Sequence, residues 1–302
     1  MTMSAPMAEQ LAGKGAARRI RRRERMDHGR RRPGAVTYGL LVLVVVISAF
    51  PLYYAFLLST STAEDIARHP LPSLVPQTHF LDNLERVVDS GIPLWHALAN
   101  SVIVAVITAV STVFFSTLAG FAFSKLRFRG RQGLLAFVVG TMAVPTQLGI
   151  VPLFIVMSKL EWTGKLVSVI VPGLVTAFGV FWMTQYLSEA IPFELVEAAR
   201  IDGCSMFRTF VHVALPAARP AAAMLALFTF VGSWTNFFWP FIVLGSTNPT
   251  LPVALQLLQA SYFKDLSLIM AGVVIATVPV LIMFVFAGRQ LVSGIMQGAV
   301  KG

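Results

Sequence analysis

Residues 35 to 58 read AVTYGLLVLVVVISAFPLYYAFLL and contain no charged side chain. A helix that crosses the hydrocarbon core of a membrane needs about 20 mostly apolar residues, since only a helix or a closed barrel satisfies its own backbone hydrogen bonds there. The run is longer than the apolar core of a signal peptide and lacks a clear cleavage site. We therefore predict that it is a retained membrane span.

Five further apolar runs follow the first one. The six predicted spans are Ala35–Leu58, Leu98–Phe123, Leu134–Met157, Leu166–Leu187, Ala221–Leu244 and Leu266–Ala287. The 302 residues are 56% hydrophobic and 13% charged, and their mean hydropathy is +0.74. Soluble proteins carry about 25% charged residues. The fold class predicted from the sequence is all-α, a polytopic membrane protein with six transmembrane helices.

Positive charge is concentrated at one end of the chain. Ten of the 24 Lys and Arg residues lie between Lys14 and Arg32. We interpret residues 1–34 as a basic cytoplasmic tail that contacts anionic lipid, and not as a nucleic-acid-binding segment. Residues 35–302 are predicted to form the membrane domain.

The distribution of all 24 Lys and Arg residues sets the predicted orientation. If the six spans alternate, 19 of the 24 fall on the side of the two termini and five on the other side. Cytoplasmic loops of membrane proteins are enriched in Lys and Arg. We expect both termini on the cytoplasmic side.

Prolines interrupt the apolar runs. A proline removes a backbone donor, so each one is expected to bend or break its helix. The prolines within the predicted spans are Pro51, Pro145, Pro152, Pro172, Pro240 and Pro279.

The loop between the fourth and fifth predicted spans, residues 188–219, is too long for a simple turn. Pro192 suits the first turn of a helix, and Gly203 stands where that helix would end. Ser205 can cap a second short helix. The loop also carries more apolar side chains, such as Leu195, than a solvated loop would, so we expect it to contact span ends or another subunit.

Within this loop, Glu197-Ala198-Ala199, Gly203 and Leu215-Pro216 have the spacing of an E-A-A…G…L-P signature. On these residues the chain resembles the permease subunits of binding-protein-dependent ABC importers. The resemblance implies the type I importer permease fold, a multi-pass location in the bacterial inner membrane, and a loop that docks onto a separate ATPase. The coupling residues that it implies are Glu197, Ala198, Ala199, Asp202, Gly203, Leu215 and Pro216.

No ATP-binding motif accompanies this signature. Gly13-Lys14 lacks the upstream Gly and the following Ser or Thr of the G-x-x-x-x-G-K-[ST] loop. We expect no enzyme activity and no cofactor bound by this chain. The resemblance implies that ATP and Mg are used by a partner ATPase dimer. A single cysteine, Cys204, and histidines without ligand spacing indicate that the chain has no metal site.

Longer stretches narrow the resemblance to carbohydrate importers. Residues 119–130 (AGFAFSKLRFRG), 228–240 (FTFVGSWTNFFWP) and 298–302 (GAVKG) are similar to the smaller permease subunit of importers of the maltose type. This implies import of a di- or oligosaccharide by alternating access. It also implies a larger second permease and an extracytoplasmic sugar-binding protein as partners.

Two groups of residues are candidates for contact with substrate or binding protein. Aromatic faces and hydrogen-bonding side chains recognise sugars, and such side chains at membrane depth are Trp234, Asn236, Trp239, Gln147 and Trp182. An alternative for Asn236 is that it caps a kink near Pro240 or joins two helices. By resemblance, the outer loop Gly245–Asp265 reaches the binding protein through Ser246, Thr247, Asn248 and Pro249; an ordinary connector is the alternative.

Other functions were weighed against this one. The loop signature alone also fits an ABC permease for a polyol phosphate or a peptide. An ion-coupled secondary transporter would place charged residues inside its spans. The six predicted spans contain no Lys, Arg, Asp or Glu; Lys125 lies beyond the second span and Asp265 at the edge of the sixth. An intramembrane enzyme would need paired catalytic groups, which the spans lack.

Overall fold

The computed structural model describes residues 34–69, 73–262 and 264–299, with side chains up to residue 285. The predicted basic tail, apart from Gly34, lies outside the described residues, as does Lys301. Within the described ranges the regular structure is helical and contains no strand. The predicted all-α class is confirmed.

The helices occur in the following order along the chain. Their bounds are Ala35–Thr60, Ala63–Arg68, Phe80–Val88, Leu94–Lys125, Arg131–Thr141, Ile150–Lys159, Val167–Ile170, Ala177–Ala190, Phe193–Ile201, Met206–Thr209, Leu215–Trp234, Phe238–Leu244, Leu251–Ser261 and Leu266–Ala299. Two 3₁₀ turns, Thr146–Gly149 and Val171–Gly173, and one π-helical turn, Phe210–Ala214, continue or join them.

Among the described residues, five helical stretches are long and apolar enough to cross a membrane, and a bent pair makes a sixth. In chain order the spans are Ala35–Thr60, Leu94–Lys125, the pair Arg131–Thr141 with Thr146–Lys159, Val167–Ala190, Met206–Trp234 and Leu266–Val285. We call them the first to sixth spans. The predicted number of spans is therefore found when the bent pair is counted as one.

The third span is not the single helix that the sequence predicted over Leu134–Met157. Its two halves meet at 90°. Proline disfavours helical backbone in the residue before it, so the first half ends ahead of Pro145 and a new turn begins at Thr146. The expectation that this proline interrupts its helix is confirmed.

The predicted bounds of the fifth span, Ala221–Leu244, are wrong. The helix starts at Met206 and ends at Trp234, and a separate helix, Phe238–Leu244, follows. Pro240 lies in the first turn of that separate helix, where its missing N–H has no helical partner to lose. What looked like a kink within a span is the start of a new helix.

Pro216 does not end the helix that begins after Ser205. The preceding turn is π-helical, and the Leu215 N–H donates to the carbonyl oxygen of Phe210. This wider turn changes the hydrogen-bonding register just where proline lacks a donor. The predicted short second helix of the loop is therefore continuous with the fifth span.

The second span packs against the fourth and fifth spans. Gly120 permits a close approach, because a Cβ atom there would lie 2.7 Å from the backbone carbon of Met183. Around it, Phe121, Leu187 and Phe210 form a buried cluster at the ends of these spans.

The chain divides into two compact units, Met1–Tyr54 and Ala55–Gly302. The described part of the first unit is most of one helix whose apolar side chains are largely exposed. Every predicted site residue lies in the second unit.

Candidate functional site

The loop between the fourth and fifth spans is built on one short helix, Phe193–Ile201, which we call the loop helix. Its end is closed by two hydrogen bonds: the Gly203 N–H donates to the Arg200 oxygen at 3.0 Å, and the Cys204 N–H to the Ala199 oxygen at 2.9 Å. Gly203 has φ of +79°. Because other residues rarely adopt that conformation, glycine is required for this helix ending.

Ser205 then starts the next helix. Its hydroxyl oxygen accepts a hydrogen bond from the Arg208 N–H at 3.3 Å, which satisfies one of the free donors at the helix start. The loop helix is thereby joined by the four residues 202–205 to the fifth span itself.

The loop helix has an inner and an outer face. On the inner face Val196 is buried, and the guanidinium of Arg127 lies 5.1 Å from the centre of the Phe193 ring. On the outer side, Leu195 is 52% exposed, Ile201 is 86% exposed and Phe207, just beyond the turn, is 69% exposed. We call these three exposed side chains the outer patch. Large apolar side chains exposed on one short loop indicate a contact surface.

The predicted coupling residues fall into two groups. Glu197, Ala198 and Asp202 are exposed on or next to the loop helix, Ala199 is half-buried, and Gly203 forms the turn. Leu215 and Pro216 lie on the fifth span instead, where Leu215 packs against the buried cluster around Phe210. The structure thus brings the first five together and gives the last two a place in the helix that follows.

Sequence reasoning missed the importance of Lys125, the last residue of the second span. Its side chain is only 6% exposed, and Nζ donates to the Ser188 carbonyl oxygen near the end of the fourth span at 3.1 Å. The carboxylate of Glu194 on the loop helix also interacts with its charge. Lys125 therefore joins the ends of the second and fourth spans directly, and its charge is attracted by Glu194 of the loop helix. A lysine at the end of a long apolar run could have drawn attention to this position. Its partner Ser188 could not be predicted, because it is 63 residues away in the sequence.

A cavity of about 400 Å³ lies between residues 125–128, at the end of the second span, and the inner face of the loop helix. Lys125, Arg127, Arg200 and Glu197 contribute the charged part of its lining. The loop helix is therefore held at its base by a few specific contacts and is not packed tightly over its whole inner face.

The three predicted substrate-path tryptophans each connect two helices. The indole N–H of Trp234 donates to the Ala276 oxygen at 3.1 Å, and that of Trp239 to the Ser168 oxygen at 3.0 Å. The indole N–H of Trp182 donates to the Ala221 oxygen at 3.2 Å. These bonds satisfy the polar end of each ring and fix helix packing.

Asn236 and Gln147 lie in different places. Asn236 follows the end of the fifth span, is exposed and lines a cavity of about 320 Å³. Its N–H donates to the Ser233 oxygen at 3.3 Å, which closes the helix end. Gln147 is exposed at the bend of the third span, within 3.5 Å of the Thr146 hydroxyl. The structure does not place Gln147 on the cavity that Asn236 lines.

The predicted outer loop, Gly245–Asp265, is shorter than expected because it contains the helix Leu251–Ser261. Its turn is fixed by Asn248. The Asn248 Oδ1 accepts from Asn100 at 2.7 Å and lies 2.9 Å from His96 Nε2, while its Nδ2 donates to the Gly164 oxygen at 3.0 Å. Asn248 therefore joins this turn to the start of the second span and to the loop before the fourth.

The other predicted residues of this turn differ in exposure. Ser246 and Thr247 are exposed, whereas Pro249 is buried and its oxygen accepts from the Asn100 amide at 2.9 Å. Only Ser246 and Thr247 are free to meet another protein through their side chains.

Asp265 immediately precedes the sixth span. Its carboxylate accepts hydrogen bonds from the Ser267 hydroxyl and the Leu268 N–H and pairs with Arg86. Burial raises the pKa of Asp265, but these hydrogen bonds and the Arg86 charge together outweigh burial and hold the pKa below its ordinary value. Among the described residues, no three His, Cys, Asp or Glu side chains converge in an arrangement that could hold a metal ion.

Residues 112–292 match the family described as the binding-protein-dependent transport system inner membrane component. The chain is 33% identical over 261 residues to the arabinooligosaccharide transport permease AraQ of Halalkalibacterium halodurans, covering 86% of this chain and 93% of that one. It is 30% identical over 276 residues to the lactose transport permease LacG of Rhizobium radiobacter, with 90% and 98% covered.

A third relative has a different named substrate. The sn-glycerol-3-phosphate transport permease UgpE of Agrobacterium fabrum is 31% identical over 274 residues, covering 87% of this chain and 95% of that one. Among solved structures, a chain of a bacterial ABC transporter involved in alginate import superposes with a TM-score of 0.72 at 22% identity, over 84% of this chain and 94% of that chain. The last comparison supports the fold.

Proposed function

The chain belongs to the family of binding-protein-dependent transport system inner membrane components, and we propose that it is the permease subunit of an ATP-driven importer of a di- or oligosaccharide. Membership makes it a multi-pass inner-membrane transport subunit rather than an enzyme. The named sugars of two relatives, arabinooligosaccharides and lactose, support the substrate class.

The outer patch of the loop helix carries the coupling part of this proposal. Leu195, Ile201 and Phe207 are exposed on or just beyond a helix whose C-terminal end is closed by the hydrogen bonds of Gly203 and Cys204. A preformed short helix with an apolar outer face fits a groove on another protein. We assign that groove to the ATPase, with Glu197 and Asp202 as polar contacts at its margin.

The contacts on the inner side explain how docking would reach the membrane. Arg127, two residues beyond the second span, contacts the Phe193 ring of the loop helix, and Lys125 bonds the second span to Ser188 of the fourth. The turn after Gly203 leads directly into the fifth span. A displacement of the loop helix therefore acts on three span ends at once. Such shifts of packed helices are a recognised route to alternating access.

The remaining partners follow from the same assignment. A second, larger permease would complete the pathway, and an extracytoplasmic sugar-binding protein would deliver substrate to the side where Ser246 and Thr247 are exposed. ATP and Mg would be bound by the ATPase dimer. Both termini would be cytoplasmic, which is supported by the 19 Lys and Arg residues on their side.

A phosphorylated polyol is the second candidate substrate class. One observation favours it: a relative of similar identity and coverage is a glycerol phosphate permease. An ion-coupled secondary transporter is disfavoured by the family.

Reconstitution of the chain with its second permease, ATPase and binding protein in liposomes tests the proposal. We expect uptake of a neutral di- or oligosaccharide that requires ATP and the loaded binding protein. Uptake by this chain alone, without ATP, would refute the proposal and support secondary transport.

A further inference from the structure

One cavity has a lining of neutral polar and aromatic side chains. It measures about 320 Å³ and lies among the second, fourth and fifth spans. Five neutral polar side chains contribute to its wall: Thr108, Thr176, Thr229, Ser233 and Asn236. Lipid offers no partner for such groups, so this wall must face water, solute or protein.

Thr108 gives the cavity an unsatisfied hydrogen-bonding group. Its side chain is 7% exposed, and its hydroxyl oxygen is buried without a hydrogen-bond partner among the described residues. A threonine in a helix can take either of two side-chain rotamers, and a rotation about its Cα–Cβ bond points the hydroxyl in a different direction. The hydroxyl can thus turn towards a ligand that offers it a partner.

Aromatic rings form another part of the wall. Phe178 and Phe228 line the cavity and are both partly exposed. Trp182 lies behind them, stacked on Phe178 at 5.9 Å and edge-on to Phe228 at 6.5 Å. The aromatic rings offer apolar faces, and the hydroxyl and amide groups offer directional hydrogen bonds.

Charge is missing from this wall: none of the described residues that line the cavity is Lys, Arg, His, Asp or Glu. A phosphate is normally bound by Arg, Lys or a set of backbone N–H groups. Neutral hydroxyl and amide groups beside aromatic rings instead suit a polyhydroxylated solute.

We propose that this cavity is a subsite for an uncharged carbohydrate on this permease, and that it disfavours phosphorylated polyols. The inference rests on the proposed importer function and deepens it by naming residues and substrate charge. Of the substrate-path residues predicted from sequence, Asn236 is part of the subsite, and Trp182 acts behind it by positioning Phe178 and Phe228.

Cysteine labelling in the assembled complex tests the site directly. The chain has one cysteine, so Cys204→Ser gives a background without thiols in this subunit. Thr229→Cys places a thiol in the cavity wall, and Thr235→Cys places one on an exposed residue outside it as a matched control. The partner subunits would be made cysteine-free, and the probes would be lactose, maltose, an arabinose disaccharide and sn-glycerol-3-phosphate.

We expect at least one of the three neutral sugars to slow labelling of Thr229→Cys by a methanethiosulfonate reagent about threefold or more, with no effect on Thr235→Cys. The glycerol phosphate should not protect. Protection by none of the sugars, equal protection by glycerol phosphate, or equal protection of both cysteines would each overturn the subsite.

Transport variants provide an independent measurement. Gly232→Leu should reduce sugar uptake strongly, because a Cβ atom at Gly232 meets no atom within 4 Å and the added side chain fills the cavity without a clash at that atom. Thr108→Val should raise the sugar concentration for half-maximal uptake about fivefold, the loss of roughly one hydrogen bond. Ser116→Ala, which removes another unpartnered buried hydroxyl of the same helix outside the cavity, should leave it unchanged.

The subsite and the importer function can be refuted separately. Wild-type uptake of a neutral sugar with ATP, combined with normal uptake by Gly232→Leu and Thr108→Val, would overturn the subsite and leave the importer function intact. Absence of ATP-dependent uptake of every probe by the wild-type complex would overturn the proposed function and the subsite with it.

Discussion

The two loops that flank the fifth span were both predicted to meet partner proteins, but they are built in opposite ways. The loop helix is closed by local hydrogen bonds at Gly203 and Ser205 and turns the outer patch outwards. The turn around Asn248 is held by long-range bonds to Asn100 and Gly164, and little of it is free. One loop is organised for a partner, and the other is mainly organised to hold the spans together.

The largest expected effect is on the loop helix. Gly203→Pro cannot reach φ of +79° and loses the N–H that donates to Arg200. Proline costs about 3 kcal/mol or more where its backbone is incompatible, so we expect sugar transported per ATP hydrolysed to fall about tenfold or more. The measurement is the ratio of uptake to ATP hydrolysis in liposomes.

Gly91→Pro is the control for that variant, because Gly91 also has a positive φ, +78°, but lies outside the loop. Its ratio should stay near that of the wild type. Equal losses in both variants would mean that backbone damage anywhere uncouples the protein, which would remove the special status of the loop helix. The charge reversal Glu197→Lys should also lower the ratio while the spans remain inserted.

Asn248 should matter for stability more than for partner binding. Asn248→Ala leaves the Asn100 amide and the Gly164 oxygen short of a partner, which we expect to destabilise the protein by about 2 to 4 kcal/mol. Ser246→Ala in the same turn should change stability by less than about 0.5 kcal/mol. Thermal unfolding in detergent measures both. A stable Asn248→Ala variant that no longer responds to binding protein would reverse our comparison of the two loops.

Lys125 should have an intermediate effect on stability and a specific effect on coupling. Lys125→Met keeps the length of the side chain but removes the bond to Ser188, at a net cost of about 1 kcal/mol because the buried charge is removed too. We expect more ATP hydrolysed per sugar, with recovery in Lys125→Arg. Loss of stability with an unchanged ratio in Lys125→Met would show that the residue only supports packing.

The smallest effect concerns pH at the start of the sixth span. Because the folded pKa of Asp265 lies below its ordinary value of 3.8, the carboxylate stabilises the fold above that pH and loses this contribution as pH falls through the lower folded pKa. The effect should stay below about 1 kcal/mol, since Arg86 is half exposed. Melting temperatures between pH 5 and pH 3 should fall less in Asp265→Asn than in the wild type.

Local sequence signals predicted much of this structure. Apolar length identified all six spans, Gly203 marked the end of the loop helix, and Pro145 marked the break in the third span. Each of these signals acts within a few residues, through backbone geometry or hydrogen bonding to the next turn. Pro192 was predicted in the first turn of the loop helix and instead precedes that turn by one residue.

Local sequence signals gave a wrong prediction where two different structures fit the same residues. Pro240 fits a kink within a helix or the first turn of a new one, and apolar composition could not choose between them. Trp234 was predicted to contact substrate and Asn248 to contact the binding protein. Their hydrogen-bond partners, Ala276 and Asn100, are distant in sequence and come near only in the folded chain. The cavity beside Thr108 was missed because its lining comes from three spans.

The central claim is that the outer patch of the loop helix binds the ATPase, and co-purification of a tagged chain tests it most directly. Ile201→Asp puts a charge at the most exposed apolar position of the loop, and Leu81→Asp makes the same kind of change at an exposed position of another loop. We predict that Ile201→Asp loses the ATPase but keeps the second permease, while Leu81→Asp and the wild type keep both. Full retention of the ATPase by Ile201→Asp, at wild-type stoichiometry and salt resistance, would contradict the account.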